Sequence, residues 1–207
     1  VTAPALVLEK LMSDPRWPEV VDQLRAATPS HVVDQADAAT AATDTVMQGL
    51  AHLMRAESTG AAVVADIPGW LRLGALDTFT SWVAGTGTTC LHNPHPSSPQ
   101  PVMAAAWRPA LVTCGLCVRM FHTRPGSDLD RTCDCCGRIC AGPDAADGIY
   151  PGAVQVAMLV YQYGACSDCH TPVARSVAPG EVLRQSPDYL RAKPRGGRGR
   201  ARGRGRR

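Results

Sequence analysis

Apolar positions recur at helical spacing through the first ninety residues. Trp17, Val20, Val21 and Leu24 fall at i, i+3, i+4 and i+7 behind Asp14-Pro15, a cap followed by a proline suited to a first helical position. Pro29-Ser30 opens a second, longer segment rich in alanine. Its stripe of Val46, Met47, Leu50, Leu53 and Met54 keeps the same period until Ser58-Thr59-Gly60 stops it. A third segment follows Asp66-Ile67-Pro68, with Leu71, Ala75, Phe79, Trp82 and Val83 on one side and Gly85 and Gly87 closing it. Such stripes bury against a neighbouring helix, and all three read as core. His31 and His52 lie in these helices without companions at ligand spacing and take no functional role.

The pattern changes after residue 90. Residues 91–101 hold four prolines and two serines, a turn-rich connection. Beyond it, short apolar runs alternate with cysteine pairs. Pro109 to Thr113 runs into Cys114, and Val118 to Phe121 leaves Cys117. Ala153 to Tyr163 carries Val154, Val156, Met158 and Val160 at alternate positions before Cys166. Each run predicts a short strand feeding a turn. The expected fold class is α+β: a helical region over 1–89, a cysteine-rich region of short strands over 90–190, and a disordered tail over 191–207.

Charge sharpens that division. Residues 191–207 carry eight Arg and one Lys with no acid, whereas residues 1–190 hold 12 basic and 18 acidic side chains, a body of −6. No apolar run approaches the ~18 residues that span a bilayer, and Val1 to Met12 lacks the pattern of a signal peptide. The expectation is a cytoplasmic protein without a membrane partner, whose nine cysteines stay reduced.

Those cysteines carry the strongest chemical signal. Cys114-Gly115-Leu116-Cys117 and Cys133-Asp134-Cys135-Cys136-Gly137 are C-x2-C units separated by fifteen residues, within the window of zinc sites. Two intervening residues let both thiolates of a tight turn face one cation, and a following glycine supplies positive φ without steric cost. Four such donors at ~2.3 Å satisfy a tetrahedral Zn²⁺. Cys166-Ser167-Asp168-Cys169 repeats the form, and Cys90-Leu91-His92 offers a thiolate and an imidazole two residues apart.

On these units, residues 90–170 resemble the zinc-ribbon and treble-clef class of zinc-finger domains. The series C-x-H, C-x2-C, C-x2-C-G, C-x2-C also resembles cysteine-rich proteins of high-GC actinobacteria, in keeping with 19 Arg against two Lys. Four two-donor units, Cys90/His92, Cys114/Cys117, Cys133/Cys136 and Cys166/Cys169, supply eight ligands, enough for two zinc ions per chain. They pair either sequentially or interleaved, first with third and second with fourth. Cys135 and Cys140 are left over. Cys135 is expected to point away from the site that Cys133 and Cys136 share, and Cys140 competes with His92 as the eighth ligand.

Cys166-Ser167-Asp168-Cys169-His170 also matches the covalent haem pattern C-x-x-C-H, but that attachment needs export and would leave the other thiol pairs unexplained. A zinc deaminase needs His-x-Glu, and His92 is followed by Asn93-Pro94. No catalytic set stands out, so the chain does not read as an enzyme. Arg195, Arg198, Arg200, Arg202, Arg204, Arg206 and Arg207, interleaved with glycine, resemble an Arg/Gly-rich nucleic-acid-binding segment that contacts phosphates of DNA or RNA without reading sequence. The expected function is a zinc-binding, nucleic-acid-binding or regulatory protein. The alternative is an adaptor whose N-terminal helices bind a protein partner and whose zinc is purely structural.

Overall fold

The computed structural model describes residues 1–53, 67–142 and 147–170. Four helices, α1 (Ala3–Met12), α2 (Trp17–Ala27), α3 (Ser30–Leu53) and α4 (Gly69–Val83), precede five strands. The strands are β1 (Thr88–Thr89), β2 (Val102–Ala105), β3 (Leu111–Cys114), β4 (Ile149–Val156) and β5 (Leu159–Cys166). They form one mixed sheet of order β1-β3-β2-β5-β4, in which β1/β3 and β2/β5 are parallel and β2/β3 and β4/β5 antiparallel. N-terminal helices followed by a sheet is the α+β arrangement expected.

Side chains of the middle strands alternate between two cores, as a pleated sheet requires. Val102 and Ala104 of β2, with Leu159, Tyr161, Tyr163 and Ala165 of β5, meet Leu71, Ala75 and Trp82 of α4. Met103, Ala105 and Val160 face the other way, onto Phe121 and the Val46, Met47 and Leu50 stripe of α3. Residues from both sides of position 90 thus build each core. Helix α1 lies on α4, where the Arg72 guanidinium grips Glu9 at 2.6 Å and the Thr2 amide donates to Asp77 at 2.6 Å.

Several local expectations shift by identifiable physics. The second helix begins at Trp17, with Pro18 in its first turn; Asp14 caps an Asx turn instead, accepting from the Arg16 amide at 2.9 Å. Met54, Asp66 and the Ser58-Thr59-Gly60 stop lie outside the described residues. Val118–Phe121 is not a strand: Gly115–Phe121 is a 3-10 helix, because Cys114 and Cys117 must turn towards one point. The run Ala153–Tyr163 is not one strand but the β4–β5 hairpin, reversed at Ala157 and Met158 with Ala157 at φ 49°. Without Gly, Asn or Asp there, nothing in the sequence marks the turn. The alanine-rich strand β2 has no signal either, since alanine favours helix in isolation.

Gly152 of β4 faces Tyr163 across the hairpin, and the tyrosine ring lies over the space a Cβ would occupy. Gly152→Val should therefore destabilise the protein by ~1–3 kcal/mol through overpacking. A denaturant midpoint equal to wild type would show that the ring has room to move aside.

Candidate metal centres

The eight sequence-singled ligands fall into two groups of four. Cys90, His92, Cys114 and Cys117 converge in one, and Cys133, Cys136, Cys166 and Cys169 in the other; within each, every donor atom lies within 4.8 Å of the rest. Pairing is sequential. The interleaved alternative does not occur, and Cys114/Cys117 do not share an ion with Cys133/Cys136 despite their fifteen-residue spacing.

The first site stands where two parallel strands end. The Cys90 amide donates to Val112 at 3.3 Å, continuing the β1–β3 ladder, and β3 itself terminates in Cys114. The loop after Cys90 is closed by the Asn93 amide donating to Cys90 at 2.8 Å, with Asn93 at φ 45°. Pro94 anchors that loop: it is fully buried, and its carbonyl accepts from Trp82 Nε1 of α4 at 2.8 Å. His92 is thereby held with Nδ1 3.2 Å from Cys117 Sγ and 3.5 Å from Cys114 Sγ. Cys90 Sγ lies 3.9 Å from Cys114 Sγ.

The second site clamps a small hairpin to β5. The Thr132–Ile139 bridge, with the Cys133 amide donating to Arg138 and the Cys140 amide to Arg131, forms the hairpin. Gly137 turns it at φ 74°, the positive value its place after Cys136 requires. Asp134 then docks the knuckle on the strand. Its amide donates to the Gly164 carbonyl at 2.9 Å, and its Oδ2 accepts from the Gly164 amide at 2.6 Å. Burial pushes the Asp134 carboxyl up to about 6 against that stabilising hydrogen bond. Cys136 Sγ is 3.9 Å from Cys166 Sγ, and the Cys166 amide donates to Cys133 Sγ at 3.3 Å. Arg138 pairs with Asp168 at 2.9 Å, joining the two knuckles at the surface.

The spacing fits a tetrahedral ion. Metal–sulfur bonds of ~2.3 Å give S···S edges of about 3.8 Å and S···N edges of about 3.5 Å. The two S···S edges of 3.9 Å and the S···N edge of 3.5 Å match, and the His92–Cys117 edge of 3.2 Å is slightly shorter. Electrostatics point the same way. Burial resists ionisation of Cys90, but the Cys114 and His92 backbone amides outweigh it, and the thiol falls to about 7. Cys166 behaves alike: burial raises it, the Cys169 amide and the Cys169 and Cys133 side chains lower it more, and it too settles at about 7. Their neighbours go the other way: burial, then contact with the Cys114 and Cys90 thiols, pushes Cys117 up to about 11, and Cys169 is also raised. One thiolate per site forms readily and the next is opposed by it. A divalent cation removes that opposition.

Cys140 lies outside both groups of four. It is buried in an apolar contact with Cys133 and Cys166, and His92 completes the first group. Cys135 is exposed and lies outside the four, although the Cys169 thiol, raised first by burial and by Cys166, is raised in part by it. Arg195, Arg198, Arg200, Arg202, Arg204, Arg206 and Arg207 lie outside the described residues. Among those described, no helix is long and apolar enough to cross a membrane. Compared with known protein families, with curated proteins and with solved structures, the chain matches none.

Proposed function

We propose that both clusters hold zinc as structural ions and that the protein binds nucleic acid through its Arg/Gly-rich segment. The observation that carries the zinc reading is the donor chemistry. Three thiolates with one imidazole, and four thiolates, are sets that soft-to-borderline Zn²⁺ prefers, and four protein ligands leave no position for a substrate. The ions then serve the fold. The 131–142 hairpin and the Cys90–Pro94 loop have little apolar burial of their own, and a structural zinc adds binding free energy to folding.

The nucleic-acid reading is supported by nine basic side chains without an acid in residues 191–207, beside a body of −6. Clustered charge of one sign, spaced by flexible glycine, suits phosphate contact without base readout. Purified protein should contain about two zinc ions per chain by elemental analysis and carry nucleic acid that high salt removes, seen as a falling ratio of absorbance at 260 and 280 nm. Deleting residues 191–207 takes the net charge from +3 to −6 and should abolish most binding while zinc content stays. With about six phosphate contacts, log affinity should fall with log salt at a slope near −5 on duplex DNA. Zinc-loaded protein that binds no nucleic acid at moderate salt would favour the adaptor reading, for which the exposed Leu6, Val7 and Leu11 of α1 offer a surface.

A further inference from the structure

We propose that the face around the 3-10 helix, carrying Arg108, Arg119 and Arg124, is a second phosphate-binding surface that grips the nucleic-acid backbone; it rests on the nucleic-acid reading above and extends it to the folded part of the chain. Acidic residues are excluded from this part of the sequence. Between Asp77 and Asp128 there is no Asp or Glu, while Arg108, Arg119 and Arg124 and three histidines fall in that stretch. In a body whose acids outnumber its bases, fifty consecutive residues of purely basic charge form a local field opposite to that of the whole.

The fold ties together the two segments that carry the three arginines. Arg108 sits in the β2–β3 turn next to Trp107, whose Nε1 donates to the Phe121 carbonyl at 2.9 Å. That bond ties the turn to the end of the 3-10 helix. Arg119 lies two residues before Phe121, and Arg124 three after it. The helix buries Phe121 against β2 and β5 and leaves Arg119 and Met120 outside.

All three guanidinium groups are uncommitted. Arg108, Arg119 and Arg124 are exposed and make no ion pair among the described residues, whereas Arg131 is held by Asp128 at 2.8 Å and Arg138 by Asp168 at 2.9 Å. The acids of adjoining segments are occupied as well. Asp130 accepts from Thr123 and the Gly126 amide, and Asp44 of α3 from Gln155. Three exposed arginines without an ion pair among the described residues, on segments tied to one another and with Asp130 as the one carboxylate bonded beside Arg124, are complementary to a ladder of phosphates.

The test uses the full-length zinc-loaded chain with a 20-base-pair DNA duplex and a 20-nucleotide single-stranded RNA. Arg108→Gln/Arg119→Gln/Arg124→Gln should keep both zinc ions and the wild-type circular dichroism. Its log affinity against log salt should be shallower by about 2.7 on duplex DNA or about 2 on single strands, since each lost contact removes ~0.9 or ~0.7. The charge-matched control Lys10→Gln/Arg16→Gln/Arg25→Gln, on the acidic helices, should leave the slope unchanged. Wild-type binding with an unaltered slope in the first variant overturns this surface and leaves the tail reading standing. A wild-type chain that binds neither probe overturns the nucleic-acid reading and this surface with it. Binding only to phosphatidylserine-containing vesicles, lost on Leu91→Ser/Leu116→Ser at the exposed knuckle tips, would also overturn it by assigning the face to lipid headgroups.

Discussion

Cys114→Ser should reduce the zinc content from two ions per chain to one, and Cys133→Ser should do the same at the other site. Each ion's four ligands come from two adjacent units of the chain, so losing one centre leaves the other's donors intact. A structural zinc is worth ~10–16 kcal/mol in finger-type peptides, more than the whole stability of most domains, so the effect at each centre is large. It should also be local. Without the second ion, the hairpin around Cys133–Cys140 loses its clamp to β5, and its amides should lose hydrogen-exchange protection. Amides of β2 and β3, under α3 and α4, should remain protected. Cys135→Ser is the matched control and should retain both ions, because Cys135 is exposed and lies outside the set of four. Complete loss of zinc from both single variants would mean that the centres fold as one unit, and loss from Cys135→Ser would mean that the wrong sulfur is counted.

Trp82→Ala should lower stability by ~3–5 kcal/mol, the usual cost of deleting a large buried aromatic. Trp82 is 2% exposed on the α4 face that packs against the sheet. For a chain of this size the loss corresponds to a drop in Tm of about 6–20 °C. Its second consequence is chemical. The indole Nε1 is the donor that holds the buried Pro94 carbonyl, and Pro94 lies two residues after His92. Trp82→Phe keeps most of the volume but strands that carbonyl, at ~1–3 kcal/mol. In both variants a chelator should extract the ion of the His92 site faster than in wild type, with the four-cysteine site releasing its ion at the original rate. Equal acceleration at both sites would show that Trp82 supports the fold without positioning the histidine loop.

Helices α2, α3 and α4 were legible because their periodicity is a local property. The expectation that every stripe is core fails for α2, which buries none of its side chains and leaves Leu24 exposed, and for Val83 of α4, which is exposed too. Val46, Met47, Leu50, Leu71, Ala75 and Trp82 occupy the cores their spacing predicts. Helix α1 is apolar along most of its length yet buries only Ala5, so its residues show no stripe that separates a core face from an exposed one. The hairpin at Ala157–Met158 and the strand β2 escaped because each is imposed by pairing with a neighbour, against the preference of its own residues.

The metal centres divide along the same line. Which residues converge was legible in the sequence, since a C-x2-C turn aims two sulfurs at one point whatever surrounds it, and Gly137 supplies the positive φ that its knuckle needs. The sequence likewise determined the separation of charge, a count that folding leaves unchanged. Which units share an ion was decided only by the tertiary structure. The fifteen residues between Cys117 and Cys133 could have closed one site, and spacing alone cannot distinguish that closure from any other of similar entropy. Parallel pairing of β1 with β3 carries Cys90 and His92 to the end of the strand that delivers Cys114. The Asp134–Gly164 hydrogen bonds lay the Cys133 knuckle beside Cys166. His92 prevails over Cys140 for the same reason: Trp82 and Pro94 hold the histidine's loop over the first site, while Cys140 is buried against Cys133 and Cys166 as a small apolar side chain.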